Sequence, residues 1–158
     1  MDQPVRLRQA RPADYDRIAP VVDDWWGRPI NAALPRLFLD HFFRTSLVAE
    51  QGDELAGFLV GILSPSSDTG AYIHFVGIAP RFRGGGLARR LYTRFFELAR
   101  ADGRSVVRAI TSPSNHGSVA FHEAMGFTVT GPIAGYDGPS ADRMLFHRRL
   151  DGDASDSR

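Results

Sequence analysis

Residues 76–90 read VGIAPRFRGGGLARR, and this stretch decides what the chain can be. Its apolar beginning has the pattern of a strand, Pro80 ends that strand, and from Leu87 the apolar residues recur at helical spacing. Between strand and helix stand three consecutive glycines, which tolerate positive φ and let backbone amides approach a ligand closely. A helix N-terminus adds unpaired N–H groups and the positive end of the helix dipole, so the stretch predicts an anion site.

Four arginines, Arg81, Arg83, Arg89 and Arg90, crowd the same turn. The helix dipole disfavours cations there, and a bound polyanion would remove the conflict. The alternative is a flexible, solvated turn whose arginines point into water. A phosphate-loop nucleotide hydrolase is disfavoured, because no Gly-Lys-Ser/Thr follows the glycines.

The composition is that of an ordinary compact domain. The 158 residues are 43% apolar and 23% charged, and the formal charge of +1 gives no case for a nucleic-acid partner. No stretch reaches the roughly 18 apolar residues of a membrane span, and the N-terminus lacks a signal-peptide core. We therefore expect a cytoplasmic protein without a membrane partner. We also expect a single domain over residues 1–150 and a disordered tail over 151–158.

Two residue types are missing from the chain. The absence of cysteine excludes disulfides, thiolate metal sites and a thiol nucleophile, and we expect no metal. All 19 residues counted as lysine plus arginine are arginine, so a Schiff-base lysine is excluded as well. Such a composition is typical of a GC-rich bacterial genome.

Apolar periodicity and turn residues divide the chain into strands and helices. Pro20 should kink or divide the first helix, and Gly27 should end it. The order of elements implies a mixed sheet with helices on its faces. The predicted strands cover residues 5–9, 47–50, 55–63, 71–79, 104–111, 127–130 and 144–149, and the predicted helices cover about 12–26, 34–43, 87–101 and 115–125.

Residues 115–127, NHGSVAFHEAMGF, supply a second motif downstream of the glycine loop. The loop, Arg83-x-x-Gly86-x-Ala88, resembles the acetyl-CoA signature of the GNAT family of N-acetyltransferases, Arg/Gln-x-x-Gly-x-Gly/Ala. The downstream segment resembles that family's second motif, with asparagine, serine, phenylalanine and Gly-Phe at matching positions. The likeness runs from about residue 5 to residue 150, although the N-terminal half matches only in pattern.

The resemblance implies a fold, a reaction and a donor. The fold is the GNAT-like acyl-CoA N-acyltransferase fold, an α/β (α+β) arrangement in which a central, twisted, mostly antiparallel sheet of about seven strands is flanked by about four helices. The reaction is transfer of an acetyl group from acetyl-CoA to a primary amine of a small molecule, peptide or protein, by direct attack in a ternary complex. A noncatalytic acyl-CoA-binding or sensing module is the alternative. We expect a monomer or a homodimer.

The cofactor residues follow from the same resemblance. Arg83 is implied to shape the loop, and Arg89 to reach a phosphate. Asn115 is implied to contact the cofactor, and Phe121 to lie beside its thioester. The pyrophosphate is implied to bind the backbone amides of Gly84, Gly85, Gly86, Leu87 and Ala88, and the pantetheine arm to pair with the main chain of Val76 and Ile78.

The catalytic side chains leave alternatives open. His74 stands where many relatives carry a carboxylate that draws the proton from the amine, which neutral imidazole can also do; the alternative is that His74 packs within the fold. Tyr72, on the same strand face, is a second candidate base or a wall of the acceptor pocket. His122 stands where many relatives have the tyrosine that protonates the departing thiolate, so it is either this acid or a solvent-facing helix residue. Ser118 is either a weaker proton donor or a small packing residue.

Trp25 and Trp26 end the first helical region, which borders the acceptor site in this family. They either line a pocket for an apolar or cationic acceptor or pack in the core. The neighbouring Asp23 and Asp24 either attract an amine or are solvated surface charges. The cluster of phenylalanines at 38, 42 and 43 is most simply core.

Overall fold

A computed structural model describes residues 3–150, so the predicted tail at 151–158 lies outside the described residues. Within this range, the strands and helices follow one another in the predicted order, except that the first predicted helix is divided in two. The strands are β1 Arg6–Gln9, β2 Leu47–Gln51, β3 Glu54–Leu63, β4 Gly70–Ile78, β5 Val106–Thr111, β6 Thr128–Ile133 and β7 Arg143–Arg149. The α-helices are α1 Tyr15–Ile18, α2 Val22–Trp26, α3 Leu37–Phe42, α4 Leu87–Ala101 and α5 His116–Ala124.

The strands form one sheet in the order β1-β2-β3-β4-β5-β7-β6. The pairs β1–β2, β2–β3, β5–β7 and β6–β7 are antiparallel. β4 runs parallel to β5, and their register joins Gly70, Ala71 and Tyr72 to Val106, Val107 and Arg108. The prediction of a mixed, mostly antiparallel sheet of about seven strands with flanking helices is confirmed.

Prolines set the boundaries of the N-terminal helices. The first helical region is divided at Pro20, which lies between α1 and α2. Proline has no amide to donate, and its ring clashes with the preceding turn of a helix. This division gives five α-helices in residues 3–150, where about four were expected. Leu34, which precedes a proline, has φ −133° and ψ 70°, so α3 begins only at Leu37 and is shorter than predicted. None of the helices in the described range combines the length and the apolar character needed to cross a membrane.

Contacts between residues divide the described chain into two compact units. The first consists of the residues up to Ile62 together with Ile73–Leu98, and the second consists of Leu63–Tyr72 and the described residues from Ala99 onward. The first unit therefore contains β1, β2 and α1 to α3, and the second contains β5 to β7 and α5. The expectation of a single domain over residues 1–150 stays a prediction.

The core cluster of the first unit combines side chains from its N-terminal helices with side chains from β2, β3 and β4. Trp25, Trp26, Phe38 and Phe43 are partly buried and pack against it, whereas Phe42 is half-buried next to them. Removal of apolar surface from water is the main stabilising effect in such a core. Its buried members are Ala10, Ile18, Val22, Leu34, Leu39, Val48, Phe58, Val60 and Phe75.

An ion-pair network ties the N-terminal strand and helices of this unit together. Arg8 of β1 donates to the buried Asp14 at 2.8 Å and to Glu50 of β2 at 2.8 Å. Arg17 of α1 also reaches Glu50, at 2.6 Å. Hydrogen bonding from Arg8 and then from Arg17 lowers the pKa of Glu50 to about 2, although partial burial opposes the shift.

Candidate functional site

The glycine loop is open, and two of its glycines have the positive φ that the sequence led us to expect. A short 3-10 turn, Pro80–Phe82, leads from β4 into it. Gly84 and Gly86 have φ of +84° and +81°, and a Cβ placed on either would meet no other atom within 4 Å. These positions suit glycine for its conformation rather than for lack of space. Residues 83–86 are exposed to solvent.

Helix α4 begins directly at this loop. Its first intrahelical bond runs from the Arg90 amide to the Gly86 carbonyl, at 3.1 Å. The amides of the turn in between lack acceptors within the helix, and the positive end of the dipole of a 15-residue helix adds to them. Arg89 is exposed in this first turn, whereas Leu87 is buried and anchors it. Loop and helix together form a site suited to a phosphate or pyrophosphate.

Arg83 lies at the beginning of the loop but does not simply point into water. Its Nε donates to the carbonyl of Ile78, at 3.1 Å, and its Nη2 donates to the carbonyl of Trp25, at 2.5 Å. The guanidinium thereby joins the loop to the end of β4 and to the last turn of α2. The alternative of a loop whose arginines are all solvated is wrong for this residue.

His74 of β4 is half-buried, and its contacts include a stacked ring and a main-chain hydrogen bond. Its ring stacks on Phe38, with centroids 4.0 Å apart and planes 10° from parallel. Its Nε2 lies 2.7 Å from the carbonyl oxygen of Ala33. Because a carbonyl only accepts, Nε2 carries the hydrogen and Nδ1 carries the lone pair of the neutral ring. Burial lowers the pKa of His74 below its ordinary value of 6.5, against the opposing effect of the Ala33 bond.

The two tryptophans of α2 lie differently against the sheet. Trp26 packs on Phe75, with centroids 4.5 Å apart, and a Cβ on Gly77 would come within 2.9 Å of the Trp26 ring. Trp25 lies 6.0 Å from Phe58, ring to ring. It also lines an open cavity of about 450 Å³ beside the loop, together with Val21, Glu54, Leu55, Ala79, Pro80 and Arg81. Both rings thus pack against the core, and Trp25 lines the cavity as well.

The acidic residues of α2 are exposed, and one of them has a structural partner. Oδ1 of Asp23 accepts from the amides of Ile30 and Asn31, both at 2.8 Å, and so closes the turn that follows α2. Asp24 is exposed to solvent. Of the two predicted alternatives, a surface role describes Asp23 better than attraction of an amine.

In the second unit, Tyr72 is half-buried on β4. Burial raises the pKa of its phenol above 10, and the nearby Tyr136 and Asp137 raise it further. The phenol therefore stays protonated at neutral pH. This protonation state suits a hydrogen-bond donor or a pocket wall and opposes the role of base.

Asn115 of the second motif caps α5. Its Oδ1 accepts from the amide of Ser118, at 3.1 Å, which satisfies one of the free donors of the helix N-terminus. Phe121 is half-buried one position before His122, and their rings meet edge to face with centroids 5.5 Å apart. The motif thus has a structural role at Asn115 independent of any ligand.

His122 is buried, so the alternative of a solvent-facing helix residue is wrong. Only 5% of it is exposed, and its ring stacks on Phe146 with centroids 4.0 Å apart and planes 3° from parallel. Its Nδ1 donates to the carbonyl of Ser118, at 2.7 Å. Burial lowers the pKa of His122 below 6.5, although the Ser118 bond opposes this. A neutral ring with its hydrogen on Nδ1 is held in place here.

Comparison with known proteins places the chain in a family. A model of the Acetyltransferase (GNAT) family matches residues 13–127. The chain belongs to the GNAT family. The matched range contains the glycine loop, His74 and the whole second motif, so both motifs quoted from the sequence fall inside it.

Individual relatives agree with this membership. The L-2,4-diaminobutyric acid acetyltransferase of Vibrio parahaemolyticus is 31% identical over 107 residues, which are 66% of this chain and 59% of that protein. The L-methionine sulfoximine/L-methionine sulfone acetyltransferase of Salmonella typhimurium is 39% identical over 57 residues, which are 36% of this chain and 33% of that protein. This GNAT chain thus spans less than two thirds of the length of these curated relatives.

Solved structures agree with the fold. A GNAT-family protein from Desulfovibrio desulfuricans superposes with a TM-score of 0.81 at 21% identity, covering 93% of this chain and 99% of that one. The diaminobutyrate acetyltransferase of Paenibacillus lautus, solved with L-2,4-diaminobutyric acid and coenzyme A, superposes with a TM-score of 0.73 at 22% identity, covering 92% and 94%.

Sequence reasoning located the loop and its helix but missed the partners of the candidate site residues. The first unit brings together the loop, Arg83, His74 and both tryptophans, whereas Tyr72, Asn115, Phe121 and His122 belong to the second unit. The carbonyls of Ala33 and Trp25, which orient His74 and Arg83, were not predicted. Main-chain acceptors carry no sequence signal, so no pattern pointed to them.

Proposed function

We propose that this protein is an acetyl-CoA-dependent N-acetyltransferase. The observation that carries the proposal is the open glycine loop at the start of α4. Positive φ at Gly84 and Gly86, open space where a Cβ would stand, and the free amides of the first helical turn fit a pyrophosphate. When bound, acetyl-CoA supplies the thioester whose carbonyl the acceptor attacks. The exposed Arg89 adds a cation for a phosphate.

We assign the main chain of Val76 and Ile78 to the pantetheine arm, with an amide near Ile78 as the donor to the oxyanion. The Ile78 carbonyl already accepts from Arg83 at the mouth of the loop, at 3.1 Å. A carbonyl oxygen has two lone pairs, so this bond leaves room for a second donor. Asn115 and Phe121 are kept as further cofactor contacts.

His74 is the proposed general base. Attack needs a neutral amine, and Nδ1 of His74 carries a lone pair because Nε2 donates to Ala33. The lowered pKa of His74 keeps the ring neutral at pH 7, as a base must be. In this reaction one C–N bond would form and the thioester C–S bond would break. The amine proton would pass to Nδ1 and from there to solvent, and the thiolate would take up a proton from solvent. His122 is a poor candidate donor of that proton, since burial disfavours its imidazolium form.

The acceptor is proposed to be a primary amine of a small, amino-acid-like molecule. The support comes from two relatives named for L-2,4-diaminobutyric acid and for L-methionine sulfoximine and sulfone. In this chain the candidate acceptor-binding residues are Trp25, Trp26 and Tyr72, whose ring faces suit apolar or cationic groups. The proposed donor and the Vibrio and Salmonella relatives support our expectation of a bacterial, cytoplasmic enzyme.

A noncatalytic acyl-CoA-binding module is the second candidate, and the burial of His122 favours it, because the usual acid is then missing. Thiol release from acetyl-CoA distinguishes the two. We expect turnover with at least one of L-2,4-diaminobutyric acid, L-methionine sulfone, a polyamine and a peptide with a free N-terminus. Coenzyme A binding without turnover on any amine of a wider panel would favour the binding module.

The donor site is tested with a pair of glycines at the two ends of α4. Gly86 and Gly103 have φ of +81° and +79°, and a Cβ on either would meet no other atom within 4 Å. Gly86→Ala and Gly103→Ala should therefore lower stability to a similar extent, about 1 kcal/mol. Only Gly86→Ala should weaken coenzyme A binding, by roughly tenfold, because its Cβ obstructs backbone approach to the pyrophosphate. Isothermal calorimetry measures both affinities; equal values in the two variants would refute the loop assignment.

A further inference from the structure

Arg83 has two partners that no motif explains. Its guanidinium donates to Ile78 at the end of β4 and to Trp25 in the last turn of α2. Two N–H groups of the planar guanidinium thus donate to main-chain carbonyls, and these two bonds fix the orientation of the side chain. Residues 25 and 83 are 58 positions apart in the chain, so the bond joins two separate segments of the first unit.

The bond to Trp25 matters because α2 is short. A helix of five residues has little stability of its own, and the carbonyls of its last turn lack intrahelical donors. Gly27 closes the helix by donating to Asp23 and Asp24, at 2.8 and 3.2 Å. The carbonyl of Trp25 is then satisfied by a cation, which is also the favourable charge at a helix C-terminus.

Helix α2 packs directly against β4. Trp26 packs on Phe75, the neighbour of His74, and covers Gly77, the neighbour of Ile78. A shift of α2 would therefore move side chains that lie against the strand carrying the proposed base. The tryptophans are also proposed to bind the acceptor.

We propose that Arg83 is a positioning residue that couples the donor loop to α2, so that coenzyme A binding in the loop sets the position of Trp25 and Trp26. This inference rests on the proposed function, because it takes the loop to be the donor site. An anion held by the amides after Arg83 restricts the loop, and Arg83 transfers that restriction to the end of α2. Donor binding thereby restricts the end of α2 and the two tryptophans of the proposed acceptor site.

The chain provides its own reporter for this coupling. Trp25 and Trp26 are the only two tryptophans in the sequence, and both lie in α2. Titration of the wild-type protein with coenzyme A, followed by tryptophan fluorescence, should show a saturable change. Calorimetry establishes saturation independently in every variant.

Arg83→Ala should lose most of the fluorescence change at saturating coenzyme A, and Arg83→Lys, which keeps the charge with a single donor group, should recover part of it. Gly86→Ala should bind more weakly but give the full change once saturated, since its Arg83 is intact. Arg94→Ala is the matched control, because Arg94 lies on the exposed face of α4 and its ion pair with Glu97 is long, at 3.9 Å. With an accepted amine, Arg83→Ala should raise KM for the amine by roughly tenfold at saturating acetyl-CoA.

The outcomes separate this inference from the proposed function. A full fluorescence change in saturated Arg83→Ala would overturn the coupling while leaving the donor site intact. A loss of affinity in Arg83→Ala much larger than in Gly86→Ala would make Arg83 a phosphate ligand and would also overturn it. Wild-type protein that does not bind coenzyme A would overturn the proposed function and this inference together.

Discussion

At the scale of single residues, the neighbours of His74 determine its tautomer and its pKa, and both properties bear on its proposed role as a base. The Ala33 carbonyl selects the tautomer, and the Phe38 ring keeps water from one face. Burial favours the neutral ring over the opposing effect of the Ala33 bond, and that bond leaves the lone pair on Nδ1. The sequence indicated a histidine on the right strand face, and its protonation state came from residues of a different segment.

We expect His74→Gln to lower kcat/KM with the best amine of the panel by about 10²-fold, the usual contribution of general base catalysis. The wild-type pH profile should rise through a step below pH 6.5, because the pKa of His74 is lowered and only the neutral ring is a base. The step should be absent in the variant. A profile identical to the wild type would exclude His74 as the base.

Phe38→Leu is the matched variant for that experiment. It removes the stacked ring but keeps His74, so water gains access and the pKa of His74 should return toward 6.5. The step in the activity profile should then move to higher pH.

His122 is the residue whose burial most changes its interpretation. The pKa of His122 is lower in the folded chain than in the unfolded chain. At pH values between the folded pKa and about 6.5, the unfolded chain therefore binds a proton that the folded chain does not. The free energy of unfolding should therefore fall as pH drops through this window. His122→Phe keeps a flat ring against Phe146 and should flatten this dependence in urea unfolding from about pH 7.5 to about 5.5. His116→Gln, at the exposed start of the same helix, is the control.

Turnover of the same variant addresses the chemical role of His122. If His122 protonates the thiolate, His122→Phe lowers kcat more than coenzyme A affinity. A kcat that stays level would leave His122 with its packing role alone.

At the scale of elements, the Arg8 network explains how short N-terminal segments stay docked. β1 has four residues and α1 also has four, too few to be stable alone. Arg8 and Arg17 connect them to Glu50 on β2 through bonds of 2.8 and 2.6 Å. The side chains of Arg8 and Glu50 are only 22% and 24% exposed, so solvent screens this pair less than a surface pair.

We expect Glu50→Gln to lower the free energy of unfolding at pH 7 by about 1–3 kcal/mol, because both arginines lose a charged acceptor. The pKa of Glu50 is about 2 in the fold against 4.5 ordinarily, so its contribution is present above pH 4.5 and is lost as pH falls toward 2. Acid unfolding of the variant should be flatter over that window. Glu54→Gln, which breaks an exposed pair with Arg81, should have little effect, and equal losses in both variants would contradict this account.

At the scale of the whole molecule, the order of strands and helices and the family were predictable, and so was an open glycine loop at the start of α4. Proline at 20, glycine at 27 and the glycines at 84–86 act through their own backbone preferences. Apolar periodicity marks helices and strands within a few residues of their observed ends. These signals are local. The structure keeps the local conformations they favour, because the packing of neighbouring elements is consistent with them.

What the sequence by itself determined is the open loop at the start of α4 and the succession of elements that carries it. Only the tertiary structure decided that Arg83 holds Trp25, that His74 donates to Ala33, and that His122 is buried against Phe146. The physical reason is distance along the chain: these partners lie 58, 41 and 24 positions apart, and two of them are main-chain carbonyls that every residue possesses. Such contacts are specified by packing and hydrogen-bond satisfaction in the folded chain, and not by any local pattern.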